Sequence, residues 1–351
     1  APFRGWSTVG SRGLFGLWVL LSGGASIATD TTSENSERRS NRLLNCCAVQ
    51  PGWDALMGCS VATDGKRSEL SKATSAESQV LYVTQVTKCI RDYAQFTVAI
   101  NAAHAQKFGH RFVVEGELSE PERGHRLESL DTAHGMLDPR FGKISILHDW
   151  LSATEGVVSH LLWIDADAAI LRADTDVVHD VLSDPRVSSA DMVLSYDATG
   201  AQDLTLANTG TIIVRNSRWS RTFLKAWWDH PAHADGQADQ EVLDKLLAAN
   251  ALDCRRHIVL LPTLELNSEA PFYESFRQGV PPTVLHLRGV PDSVRRTMFS
   301  HLYDGLCMRP FEGLSDSPQR TADAPQPVAP LEVERHGLLR GLVHAYLHSL
   351  R

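Results

Sequence analysis

The stretch Leu161 to Ile170 reads LLWIDADAAI. Its apolar start has the texture of a buried strand, yet two aspartates one residue apart close it. Residues two apart on an extended segment point the same way, so Asp165 and Asp167 can converge. Two carboxylates about 5 Å apart repel by about 3 kcal/mol at an effective dielectric of about 20. A fold tolerates that only with a counter-charge or release into solvent. A divalent cation supplies the charge, and hard oxygen ligands favour manganese or magnesium over zinc. In open α/β sheets, ligands collect at the C-terminal ends of strands. The task that suits such a pair is holding a metal bound to a diphosphate. The competing reading is a turn whose aspartates cap a helix.

The surroundings support a sheet. VLYVT (80–84), RFVVE (111–115), HLLWID (160–165), DMVLSY (191–196), TIIVR (211–215), HIVLL (257–261) and TVLHL (283–287) read as strands. Apolar residues three or four apart mark helices through Ile90–Ala103, Phe141–Leu151, SRTFLKAWWDH and ADQEVLDKLLAAN. Strand and helix alternate from about 79 to about 290, the pattern of an α/β fold with helices on the sheet faces.

The flanks differ in texture. Leu14 to Ala28 is an apolar run of 15 residues preceded by Arg4 and Arg12. As a helix it would reach roughly 22 Å, short of the about 30 Å of a bilayer core. Residues 1–28 therefore read as a signal peptide or a short signal anchor, with a buried helix as the alternative. The first two readings send the chain into the secretory pathway, attached to a membrane if the segment is uncleaved. Residues 29–78 are polar and aperiodic, like a mobile stem. Residues 79–312 read as the main folded domain, 313–330 as a linker by composition, and 331–351 as an amphipathic helix with Leu338, Leu342, Tyr346 and Leu350 on one face.

The net charge of −8 argues against a nucleic-acid partner, which needs a basic surface. Six cysteines without a C-x-x-C pair argue against a zinc site, and their even number permits disulfides. The hydrolase and kinase signatures G-x-x-x-x-G-K-[ST], G-x-S-x-G and H-E-x-x-H are absent from the sequence.

The Asp-x-Asp has company. NTGTIIVRNSRWS begins at Asn208, ADQEVLDKLL at Ala238, and VLHLRG ends at Gly289; VLYVTQVTKC, AINAAHAQKFGHRF and FGKISIL lie upstream. This order resembles the GT-A nucleotide-sugar glycosyltransferases, most closely glycosyltransferase family 34, the galactosyl-, xylosyl- and mannosyltransferases. The likeness covers about 80 to 290. It implies a GT-A, Rossmann-like fold with a mixed sheet flanked by helices. It implies that Asp165, Asp167 and His286 hold Mn2+ or Mg2+. Gly289 would let backbone approach the phosphates, and Thr84 would lie by the nucleotide. Lys143 would help with the donor. Asn208, Thr209 and Gly210 would line the sugar and acceptor side, and Asp239 and Gln240 would reach the donor sugar.

The expected protein is a metal-dependent retaining glycosyltransferase of the Golgi or another secretory compartment. It takes a nucleotide-diphosphate sugar as donor and a glycan hydroxyl as acceptor. Two other readings stay open: a haloacid-dehalogenase-like phosphatase that uses the Asp-x-Asp, and a non-catalytic carbohydrate-binding protein on the same fold.

Overall fold

The computed structural model describes residues 79–116, 139–197, 206–234, 236–263, 265–269 and 283–308. The expected leader, stem, linker and C-terminal helix lie outside the described residues. Among the described residues, no helix is long and apolar enough to cross a membrane.

The main sheet has six strands: β1 (Gln79–Gln85), β2 (Arg111–Glu115), β3 (Val158–Ile164), β5 (Met192–Tyr196), β6 (Ala207–Arg215) and β7 (Ile258–Leu261). Their spatial order is β2-β1-β3-β6-β5-β7. β1 pairs in parallel with β2 and β3, and β5 in parallel with β7; β6 runs antiparallel to β3 and β5. The sheet is therefore mixed, as expected. A second sheet joins β4 (Ala168–Ile170), β9 (Val284–His286) and β8 (Asn267–Glu269), with β9 in the middle.

The sheet's two faces feed two cores, which strand alternation makes plain. Tyr82, Val114, Leu162, Ile164, Val193 and Ile213 belong to one. Leu81, Val83, Val113, Leu161, Trp163, Met192, Ile212 and Val214 belong to the other. Helices α1 (Arg91–Lys107) and α7 (Asp292–Tyr303) cover the first face. Helices α2 (Gly142–Ala153), α4 (Arg218–Trp228) and α6 (Asp239–Ala248) cover the second. Two short helices are also present among the described residues, α3 (Val177–Ser183) and α5 (Pro231–Ala234). Trp227 and Trp228 are both fully buried, so neither offers a face to a sugar. Of the six cysteines, Cys89 is exposed and free and Cys254 is buried and free.

The elements that carry the site follow the expected order, with strands β4 and β8 added and two further differences. The N-T-G segment is part of strand β6, which starts four residues before the TIIVR run. Helix α7, with Val294, Met298, Phe299, Leu302 and Tyr303 buried along one side, adds an element beyond the alternation read from the sequence.

Asn101 fixes the strand that leaves the Asp-x-Asp. It is 2% exposed on α1; its Nδ2 donates to Ala168 O at 2.9 Å, and its Oδ1 accepts from Ile170 N at 3.0 Å. Asn101→Ala leaves both groups of β4 unpaired in the core. The expected loss is about 3 kcal/mol of stability, read from the midpoint of urea unfolding with an unchanged slope.

Candidate active site

The Asp-x-Asp begins where β3 stops. Asp165 N donates to Gly210 O at 2.8 Å, which extends the β3–β6 ladder by one step, and Ala168 N then donates to Asp165 O at 2.9 Å. The two aspartates thus converge through a tight turn between β3 and β4. The strand alternation expected from the sequence is not what brings them together. His286 meets them from β9, where it lies opposite Ala168. Its neighbours Leu285 and Leu287 are fully buried in the core, which turns the imidazole to the opposite side, toward the carboxylates. His286 Nε2 lies 3.8 Å from Asp165 Oδ2 and 3.3 Å from Asp167 Oδ1.

Gly210 makes room for that ring. A Cβ there would lie 2.1 Å from His286 Cε1, well inside any van der Waals contact. Asn208 braces the same corner: its Oδ1 accepts from Gly210 N at 2.8 Å and from Asn267 Nδ2 at 2.6 Å. Asn267 also lies 3.4 Å from His286 Nδ1. Asn208 is fully buried behind the imidazole, so its place is structural support for the glycine and the histidine.

Lys143, on α2, is 5% exposed and ties two motifs together. Its Nζ is 3.1 Å from Asp165 Oδ1 and 3.1 Å from Asp239 Oδ2. It also donates to Thr209 O at 3.1 Å. Thr209 Oγ1 donates to Asp239 Oδ2 at 2.7 Å. Asp239 opens helix α6, and Trp227 Nε1 anchors its carbonyl at 2.9 Å. The next residue, Gln240, is oriented by two groups: its Nε2 donates to Asp197, and its Oε1 accepts from Arg288 at 3.1 Å. Arg288 in turn pairs with Asp197 at 2.9 Å.

These side chains surround a cleft of about 670 Å³, a size suited to a small-molecule site. Asp165, Asp167, His286, Lys143, Thr209, Gly210, Asp239, Gln240 and Gly289 all line it. Gly289 has φ +71, a left-handed turn that glycine enters without strain. Thr84 does not line the cleft: it is 1% exposed with its Oγ1 unpartnered inside β1. The wall there is made by Gln85, Thr87, Cys89, Ile90 and Tyr93. Arg288, Asp197, Asn267, Trp163 and Arg295 were not singled out in the sequence; Arg288 and Arg295 lie within nine residues of His286, which is the one local signal they carry.

Burial raises the Asp165 carboxyl, and the attraction of Lys143 and His286 does not fully offset it. Burial also opposes ionisation of Asp167, but His286 and Arg295 overcome it and bring the group down to about 2. Burial opposes the charge of Lys143 too; Asp165 and Asp239 outweigh that and hold its ammonium above the usual lysine range.

The donor set fits a hard divalent cation. Two carboxylates and one imidazole offer ligand atoms all within 4.8 Å of one another. Ligands about 2.1 Å from one ion lie at most about 4.2 Å apart. Both His286 separations, 3.8 and 3.3 Å, satisfy that limit, and the 4.8 Å bound on the whole group leaves the two carboxylates at most about 0.6 Å to close around an ion.

Residues 159–292 match the model of the nucleotide-diphospho-sugar transferase family. The matched segment is 134 of the 351 residues and holds Asp165, Asp167, Asn208, Asp239, Gln240 and His286. That family is one of glycosyltransferases, in keeping with the GT-A resemblance read from the sequence. The transferase fold is also similar, distantly, to solved structures. A glycosyltransferase involved in glycosylating the major capsid of PBCV-1 is 14% identical, over 63% of this chain and 98% of that one, with a TM-score of 0.46. The galactosyltransferase LgtC, solved with donor and acceptor sugar analogues, is 14% identical over 66% and 98%, with a TM-score of 0.44. The Streptococcus pneumoniae glycosyltransferase GlyE is 12% identical over 60% and 54%, with a TM-score of 0.39. A search of curated proteins returns no match.

Two outcomes are expected from this transferase site. Gly210→Ala pushes the His286 ring aside: transfer falls by about 100-fold or more, and the overpacked interior loses about 1–3 kcal/mol of stability, both measured on the same preparation. The second concerns acid. Asp167 has its carboxyl lowered from 3.8 to about 2, so its contribution to stability is complete above about pH 4 and is lost as pH falls toward 2. The stability gap between the wild type and Asp167→Asn should therefore close across that window in urea titrations at stepped pH.

Proposed function

We propose that the domain is a metal-dependent, retaining glycosyltransferase that moves a hexose or pentose from a nucleoside diphosphate to a glycan hydroxyl. The observation that carries this reading is the Asp165–Asp167–His286 group facing the same cleft as Asp239 and Gln240. A bound Mn2+ or Mg2+ would supply Lewis-acid charge for the departing diphosphate. Asp165, Asp167 and His286 would hold it.

The protein's own residues position the partners and exclude water. Lys143 keeps Asp165 and Asp239 at a fixed separation, so the diphosphate end and the sugar end of the cleft share one frame. Gly289 lets the backbone come close to phosphate oxygens. Asp239 carries Lys143 and the Thr209 hydroxyl on one carboxylate oxygen. Both contacts weaken it as an attacking group, which favours its use as a hydrogen-bond acceptor for the sugar over a covalent glycosyl-enzyme. Retention then follows if the leaving phosphate oxygen takes the proton of the incoming hydroxyl on the same face. The apolar run at 14–28 supports a lumenal, secretory-pathway placement such as the Golgi.

The test is release of nucleoside diphosphate from a panel of sugar nucleotides with Mn2+, Mg2+ or chelator. The expected result is release from one donor, stimulated by metal and absent in Asp165→Ala/Asp167→Ala. A folded protein that releases nothing from any donor, or that works equally well in chelator, overturns the reading.

A further inference from the structure

Each aspartate of the pair has one oxygen turned to His286 and one turned away. Asp165 Oδ2 and Asp167 Oδ1 face the imidazole. The other two are taken from behind. Asp165 Oδ1 accepts from Trp163 Nε1 at 2.7 Å and lies 3.1 Å from Lys143, whose ammonium also donates to Oδ2 at 3.3 Å. Asp167 Oδ2 lies 3.0 Å from Arg295 Nη2. Arg295 comes from α7, an element that carries none of the motif residues.

We propose that Arg295 is a positioning residue for the cation site, holding Asp167 so that Oδ1 stays aimed at the metal position. The guanidinium is itself fixed on every side. Nε donates to Leu287 O at 3.0 Å. Nη1 donates to Asp292 Oδ1 at 2.9 Å and lies 3.4 Å from the Tyr93 hydroxyl. The group sits over the Tyr93 ring, 5.2 Å from its centre. Leu287 N, in the same residue whose carbonyl holds Nε, donates to Asp167 O at 2.9 Å. Asp167 is thus clamped at its main chain and its side chain to the segment that follows His286. Only a planar fork with donors in several directions can span Leu287, Asp292 and Asp167 at once; an ammonium cannot. Partners of this kind orient metal ligands, and their loss typically weakens binding about 10- to 100-fold.

The inference rests on the metal-dependent reading above, and its sign separates it from plain electrostatics. A positive charge 3 Å behind a ligand repels an arriving cation, so removing it should tighten metal binding if charge were all that mattered. Positioning demands the opposite.

The experiment is Mn2+ titration of the full chain, without nucleotide, followed by electron paramagnetic resonance of free Mn2+. Wild type, Arg295→Met and Arg295→Lys are compared, with melting temperatures taken in chelator. Arg295→Met is expected to weaken Mn2+ about 10-fold or more. Arg295→Lys, which keeps the charge and loses the fork, should also fall below wild type and decides the matter alone if the methionine variant does not fold. Tighter or unchanged Mn2+ binding in a folded variant overturns the proposal; a mere brace would lower the melting temperature and leave the affinity alone. A wild type that binds no Mn2+ overturns the metal reading itself, and this inference with it.

Discussion

One ammonium holds the site in register. Lys143 Nζ stands 3.1 Å from Asp165 and 3.1 Å from Asp239, almost out of contact with water. It joins a strand end, a helix start and the β6 carbonyl of Thr209. A buried charge pair adds little net stability over an apolar replacement, while removing one partner is costly. What such a group confers is fixed geometry. Three separate segments must meet it at one point, and the cleft takes its shape from that meeting.

Around this fixed point the charges are distributed unequally. Asp165 shares its lysine with Asp239 and stands 3.8 Å from His286, whereas Asp167 has Arg295 at 3.0 Å and lies closer to the imidazole, at 3.3 Å. Burial therefore prevails at the first aspartate and attraction at the second. Two chemically identical side chains, one residue apart, end up with opposite tendencies to hold a proton. The difference comes from the turn at Ala166, which sends them toward different neighbours.

Much of this was legible in the sequence because it follows from local pattern. An apolar run ending in carboxylates announces β3 and its site; the Leu-His-Leu alternation announces an imidazole turned away from the core. The rest depends on packing between distant segments. That Gly210 must be glycine is decided by a ring 76 positions later in the chain. The strands β4 and β8 have three residues each, too few for any period to show. Helix α7 has a readable apolar stripe, but nothing local tells its two adjacent arginines apart. Arg295 is turned inward to Asp167, while Arg296 meets Asp92 at the surface with 58% of its side chain exposed.

The order of these segments along the chain has a consequence for biosynthesis. The first wall of the cleft comes from Gln85 to Tyr93, the aspartates from the middle, and the imidazole and the arginine from 286 and 295. A ribosome delivers the two carboxylates long before the groups that complete their surroundings. The strand β9 that carries His286 is also the centre of the second sheet, so that sheet cannot close early either. The emerging polypeptide therefore passes through most of its synthesis without a cation site. A chain cut short before residue 286 is left with a lysine as the main counter-charge to its paired acids.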